Sequence, residues 1–161
     1  MTFTLTSADF QDGGVLPDAQ VYAKGNIAPQ LSWSGAPEGT KSFAITCYDP
    51  DAPTGSGFWH WTVANIPADV TELAAGAGAV GGANLPQGAV QGRTDYGEAG
   101  FGGAAPPPGH GPHRYIFTVF AVDVDRLDVT PDNSGAVFGF NLHFHTLAKA
   151  SITATYENTG G

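Results

Sequence analysis

Three stretches of the chain have the hydrophobic pattern of strands, one of them alternating its side chains with a period of two. In SFAITCYD, residues 42–49, Phe43, Ile45 and Cys47 fall on one side and Ala44, Thr46 and Tyr48 on the other. FWHWTVANIP (58–67) and RYIFTVFAVD (114–123) are runs of β-branched and aromatic residues. All three predict central strands. Shorter strands are expected at 2–5, 30–33 and 151–156, and PEGT (37–40) and APTGSG (52–57) carry hairpin turn chemistry. One helix is predicted within 134–150, where Val137, Phe140, Phe144 and Ala148 follow helical spacing and Ser134 can cap. The pattern describes an all-β-dominated fold, an antiparallel β-sandwich or barrel with a short peripheral helix towards the C-terminus.

Residues 74–112 break the alternation. They hold 12 of the 23 glycines and five of the 12 prolines, with Asp95, Glu98 and Arg93 as the charged residues. A disordered segment of that length would carry more charge and fewer aromatics, whereas this one contains Tyr96 and Phe101. It is therefore expected to be an ordered loop lying over a site. Gly76, Gly78 and Gly81 match Gly-x-Gly-x-x-Gly, but neither a buried parallel strand before them nor a helix after them can be read, so a dinucleotide fold is excluded. The GSG at 55–57 is too short for a nucleophile elbow.

Composition narrows the class further. With 161 residues the chain is expected to form one domain over 1–161, long enough to bury about 68–70% of its unfolded surface. One cysteine, Cys47, cannot bridge to another within the chain, and MTFTLTSADF reads as a strand rather than a leader, so a cytoplasmic location is expected. No apolar run is long enough to span a bilayer, which limits membrane contact to the periphery. The formal charge of −9 comes with six Lys plus Arg, so no basic stripe exists for a nucleic acid. Only 13% of residues are charged, about half the usual 25%; the acidity reflects scarce cations and is read as solubility.

Two stretches carry candidate chemistry. In DPDAPTGSGFWHW (49–61) two carboxylates flank a proline, a Gly/Ser turn follows, and His60 sits between two tryptophans. Such a histidine can be a hydrogen-bonded core residue, a metal ligand, an acid/base group or part of an anion site. In GGAAPPPGHGPHRYIF (102–117) three prolines form a rigid ledge that ends at His113. Strand parity sends Phe58 and His60 to one side, sets Trp59 and Trp61 opposite as core, pairs His113 with Tyr115, and turns Arg114 away towards a structural ion pair. If the two strands meet at the end of CYDPD, Asp49, His60, His113 and Tyr115 converge on one small cavity.

These two motifs, in this order, resemble the phosphatidylethanolamine-binding protein family and in particular its bacterial, Raf-kinase-inhibitor-like branch. The likeness extends from LSWSGAPEGTKSFAITCYDPDAP through ANIP and GGAAPPP to FGFNLHFHTLAKASITATY. It implies a β-sandwich with a small surface pocket for phosphate, acetate or a phospholipid headgroup. By position, Asp49 matches the pocket carboxylate, with Asp51 supporting the loop; His60 and His113 match the pocket histidines and Tyr115 the pocket tyrosine. Phe58 matches a wall position, Ala105, Pro106 and Pro107 match the ledge, His145 takes the family's helix position with His143 as an extra, and the resemblance implies a cis bond before Pro53.

Asp49, His60 and His113 also have the composition of a two-histidine, one-carboxylate metal site, and a metal-dependent hydrolase or oxygenase is the alternative reading. Neither motif supplies a spare Glu or Lys as a second catalytic group, while His143 and His145, at i and i+2, make a poor metal pair. The favoured expectation is a non-enzymatic anion-binding protein without metal or cofactor, in which imidazoles hydrogen-bond the anion and Asp49 holds one of them as a donor. Expected partners are a phosphate-containing small anion or a phospholipid headgroup. A kinase or protease, and a second copy of the chain as a homodimer, remain open as protein partners.

Overall fold

The computed structural model describes residues 2–160. Five strands form the larger sheet: β3 (Ser42–Asp49), β4 (Phe58–Pro67), β6 (Val90–Gln91), β7 (His113–Val122) and β8 (Thr146–Tyr156), in the order β6-β4-β3-β7-β8. Three more, β1 (Thr4–Thr6), β2 (Leu31–Ser34) and β5 (Glu72–Leu73), form the second sheet in the order β1-β2-β5. Every strand pair is antiparallel. The inward positions of the two sheets, among them Leu5, Leu31 and Trp33 against Phe43, Ile45, Trp61 and Phe117, make the main core. The outer face of the larger sheet is covered too, so a second cluster joins Ala44, Ala64 and Val122 to Phe138 and Leu142 of helix α1 (Gly135–His145). Covering both faces explains why β3 is buried along almost its whole length. The segment 13–16 runs beside β8 through bonds from Gly13 N–H to Thr153 O (2.7 Å) and Leu16 N–H to Thr155 O (2.8 Å).

The predicted helix is present, with the Ser134 hydroxyl accepting from the Val137 amide, but it shows a different face to the core. Gly135, Phe138 and Leu142 are buried, while Val137, Phe140 and Phe144 are 37%, 68% and 63% exposed. The sequence GAVFGFNLHFH is apolar around much of its circumference, so spacing alone selects no face. Packing does: a Cβ on Gly135 would lie 2.3 Å from the Trp59 ring, so that glycine lets the helix settle onto β4. The helix also ends at His145, and Ala148 belongs to β8, which starts five residues earlier than the pattern predicts.

Parity along β4 fails twice, between the partners of Phe43 and Ile45 and between those of Cys47 and Tyr48, and the second break shapes the site. Cys47 pairs with Trp61 and Tyr48 with Trp59, which leaves His60 as an extra residue in a β-bulge. Trp59 does face away, stacked on Tyr48 at 4.4 Å, but Trp61 lies on the same inner side as Cys47 and is fully buried. The peptide before Pro53 is trans, as is every described peptide bond. The chain instead reverses between β3 and β4 through Gly55 and Gly57, both at positive φ, where trans peptides suffice. The glycine-rich segment is ordered: Phe101 is buried, its amide bonds Gly78 O at 2.7 Å, and Gly102 N–H bonds His60 O at 2.9 Å. No helix among the described residues is long and apolar enough to cross a membrane.

Candidate functional site

The ends of β3, β4 and β7 meet at one edge of the larger sheet. Because Asp49 pairs with Phe58 across the β3–β4 ladder, both side chains emerge on the same side, and the bulge delivers His60 beside them. His113 and Tyr115, two apart on β7, share a face, as parity requires. Together with Ala52, Pro53, Thr54, Tyr96, Ala105 and Pro107 they line a cavity of about 140 Å³. That is well below the roughly 300–1,000 Å³ of a drug-sized ligand site and suits a small ion or headgroup. A larger surface groove, 410 Å³ beside Leu85 and Pro131, has no titratable side chain in its wall. Pro106 is the one predicted ledge residue outside the cavity. Ala105 and Pro107, both exposed, border the cavity, whereas Pro106 is buried and borders only the neighbouring groove beside Val21 and Tyr156.

Asp49 is 2% exposed and both its oxygens are used: Oδ1 accepts from the Asp51 amide and Oδ2 from His113 Nδ1, each at 2.7 Å. A carboxylate can only accept, so it fixes the proton of His113 on Nδ1. The supporting loop is tied to β7 by a fork from Arg114, whose Nε and terminal nitrogen reach Asp51 at 3.0 and 2.9 Å, with its amide adding a third bond. This pairing pulls the Asp51 carboxyl down to about 2, chiefly through the Arg114 side-chain bonds. Arg114 thus has the structural role its parity predicts.

His60 is held by a bond from Nδ1 to the Gly102 carbonyl at 2.8 Å. A carbonyl only accepts, so Nε2 carries the lone pair in the neutral ring and becomes a donor only on protonation. Burial lowers the His60 pKa, which favours the neutral ring. The edges of Tyr115, at 5.2 Å, and Tyr96, at 5.6 Å, enclose it with Phe58 at 4.8 Å. The Tyr115 hydroxyl is nearly inaccessible, in a residue 1% exposed, and has no hydrogen-bond partner among the described residues. Burial raises its pKa against a weaker opposing pull from the Ala105 amide, which can only donate to the oxygen, so the hydroxyl stays protonated with its own O–H free to donate.

Two neighbours escaped the sequence reading as site residues. Tyr96 closes one wall, with its hydroxyl on Gly103 O at 2.7 Å and its ring so near Gly102 that a Cβ there would lie 2.3 Å away. His110 places Nδ1 2.6 Å from His113 Nε2. Signals for both existed: an aromatic in a loop expected to cover a site, and a third imidazole in GHGPH three residues from His113.

The alternative metal site does not assemble. His113 Nδ1 bonds Asp49, its Nε2 meets His110 and His60 Nδ1 bonds a backbone carbonyl, and no set of three His, Cys, Asp or Glu among the described residues is placed to hold an ion. His143 is exposed, and His145 pairs with Asp123 at 2.9 Å. Thr54 donates its hydroxyl to Gly57 O, and Cys47 is buried with its thiol pKa raised by burial. The arrangement offers one oriented imidazole, one neutral imidazole and one uncommitted hydroxyl around a small volume.

Comparison with known proteins matches residues 6–157 to the family described as phosphatidylethanolamine-binding protein. The chain is 55% identical over 158 residues to the UPF0098 protein YbhB of Escherichia coli K12, covering 95% of this chain and 99% of that protein. It is 52% identical to E. coli YbcL, whose crystal structure, described as a new member of the mammalian PEBP family, superposes with a TM-score of 0.95 over 98% of this chain and 99% of that one. A carboxypeptidase Y inhibitor bound to its cognate proteinase shares the fold at a TM-score of 0.56 and 20% identity, over 97% of this chain and 82% of that one.

Proposed function

The chain belongs to the phosphatidylethanolamine-binding protein family, and on that premise we propose that its pocket binds a phosphate group, free or on a small headgroup such as phosphoethanolamine, without chemical conversion. The observation that carries the reading is the Tyr115 hydroxyl, buried beside two imidazoles and lacking a partner. A buried donor left unpaired is costly, and it is retained where a ligand completes it. Phosphate oxygens supply acceptors at that point, and the cavity is of a size to hold them. Each bond between a phosphate oxygen and His60 Nε2 needs one proton, from an imidazolium or from a P–OH group. Both sources disappear as pH rises, so affinity should fall with pH.

Asp49 adds orientation. Its buried carboxylate holds His113 in a single tautomer, which a neutral amide would do less strongly. The test is calorimetric titration with inorganic phosphate and with glycerophosphoethanolamine on wild type and Asp49→Asn. Saturable binding by wild type, weakened roughly ten- to hundredfold in the variant, is the expected result. Tighter binding by Asp49→Asn would mean that the carboxylate merely repels the anion. Absence of saturable binding to either ligand would overturn the reading. Use of the pocket in regulating a kinase or protease is compatible with the same site and is tested by whether such a partner competes with phosphate.

A further inference from the structure

His113 has no ring nitrogen free for a ligand. Nδ1 is committed to Asp49 at 2.7 Å and Nε2 to His110 at 2.6 Å. Since Nδ1 carries the proton of the neutral ring, Nε2 presents a lone pair and His110 Nδ1–H donates to it. His110 does not line the cavity; its ring meets His113 from outside, tilted by 63° with centroids 4.8 Å apart. It is exposed and sits at the tip of a turn between Gly109 and Gly111, both at positive φ with open space where a Cβ would be. The turn is anchored at its base, by His110 N–H on Pro107 O at 3.2 Å and Gly109 N–H on Asn158 O at 3.0 Å. The His110 side chain therefore has room to leave while its backbone stays in place.

We propose that His110 sets the affinity of the pocket by occupying His113 Nε2 in the empty state and yielding it to a phosphate oxygen on binding. The inference rests on the anion-pocket reading above. A phosphate hydroxyl donates to the same lone pair that the His110 N–H releases, so the exchange balances without net proton transfer. His110 then competes with the ligand for one atom. The bond given up is a single, partly solvated contact between two imidazoles, so removing it should tighten phosphate binding by about three- to tenfold.

The experiment titrates wild type, His110→Ala and His110→Phe with inorganic phosphate at one fixed pH, by calorimetry, and follows the imidazole nitrogens of wild type by NMR. Tighter binding by both variants, together with His110 and His113 resonances that move in step as phosphate is added to wild type, is the expected result. The phenylalanine variant keeps the ring and loses the bond, so equal gains in the two variants assign the effect to the bond. Unchanged affinity in the variants, with wild type binding normally, overturns the role of His110 and leaves the pocket reading intact. Weaker binding overturns it as well, by making His110 a ligand donor. No binding to any of the three proteins overturns both.

Discussion

Replacing Tyr115 by phenylalanine removes one oxygen atom and should move stability and binding in opposite directions. In the empty protein the hydroxyl sits in a residue 1% exposed with no partner among the described residues. Leaving a buried polar group unpaired costs about 1–3 kcal/mol, and cavity water recovers part of that, so the variant should gain about 1 kcal/mol. For a chain of this length that is about 2–4 °C in Tm. The rest of the ring is retained, so packing against His60 at 5.2 Å is undisturbed. On the proposed reading a bound phosphate accepts from the same hydroxyl, an interaction worth about 1.5–3 kcal/mol, and its loss should weaken phosphate binding roughly ten- to hundredfold. Stability is measured by urea and thermal unfolding in phosphate-free buffer, because bound phosphate would itself stabilise wild type. Binding is measured by calorimetry on the same preparations. A less stable variant would show that the hydroxyl is already satisfied, and an unchanged phosphate affinity would show that it never meets the anion; either result refutes the argument.

Three further outcomes are expected. The His60 pKa is lowered by burial in the empty pocket and should rise when a phosphodiester binds, so glycerophosphoethanolamine affinity should increase as pH falls towards the free-state pKa and level off below it; calorimetry at several pH values checks this, and a His60→Ala variant that keeps the His60-linked part of the dependence would refute it. Asp51, held at about 2 against an ordinary 3.8, contributes stability above the unfolded value that is lost as pH falls from about 4 to about 2; urea unfolding of wild type and Asp51→Asn should differ by about 1–2 kcal/mol near neutrality and converge in acid, and a constant gap would count against the Arg114 fork as its origin. On helix α1, Phe140→Ser should change stability by no more than about 0.5 kcal/mol, whereas Phe138→Ala should cost about 3–5 kcal/mol; similar losses in urea would contradict the observed orientation of the helix.

The three long strands were legible because each has a strong period-two or β-branched signal, and their predicted bounds differ from the observed ones by at most a residue. The convergence of Asp49, His60, His113 and Tyr115 was legible from parity and from the order of the two motifs. What escaped was set by tertiary context. The extra residue at His60 leaves no local mark, because a bulge is defined by the partner strand; hence Trp61 was placed on the wrong side. The helix face was misread because Phe138, Phe140 and Phe144 are equivalent in hydrophobicity, and only contact with Trp59 and β4 separates them. Tyr96 and His110 reach the site through glycine turns, whose direction the neighbouring residues do not encode.

The pairing of residues 13–16 with β8 has a consequence for synthesis on the ribosome. Leu16, 2% exposed, is translated well over a hundred residues before β8, the strand beside it, and Phe10, 5.4 Å from the Phe117 ring, about a hundred residues before β7. At about 5–20 residues per second the interval is on the order of ten seconds, during which these apolar side chains have no strand to close upon. β7 waits as well, since His113 at its start pairs with Tyr156 at the end of β8. The wall that carries the oriented imidazole is therefore complete only once β8 has been made, and a nascent chain stalled before residue 146 should be a client of chaperones with an unfinished pocket.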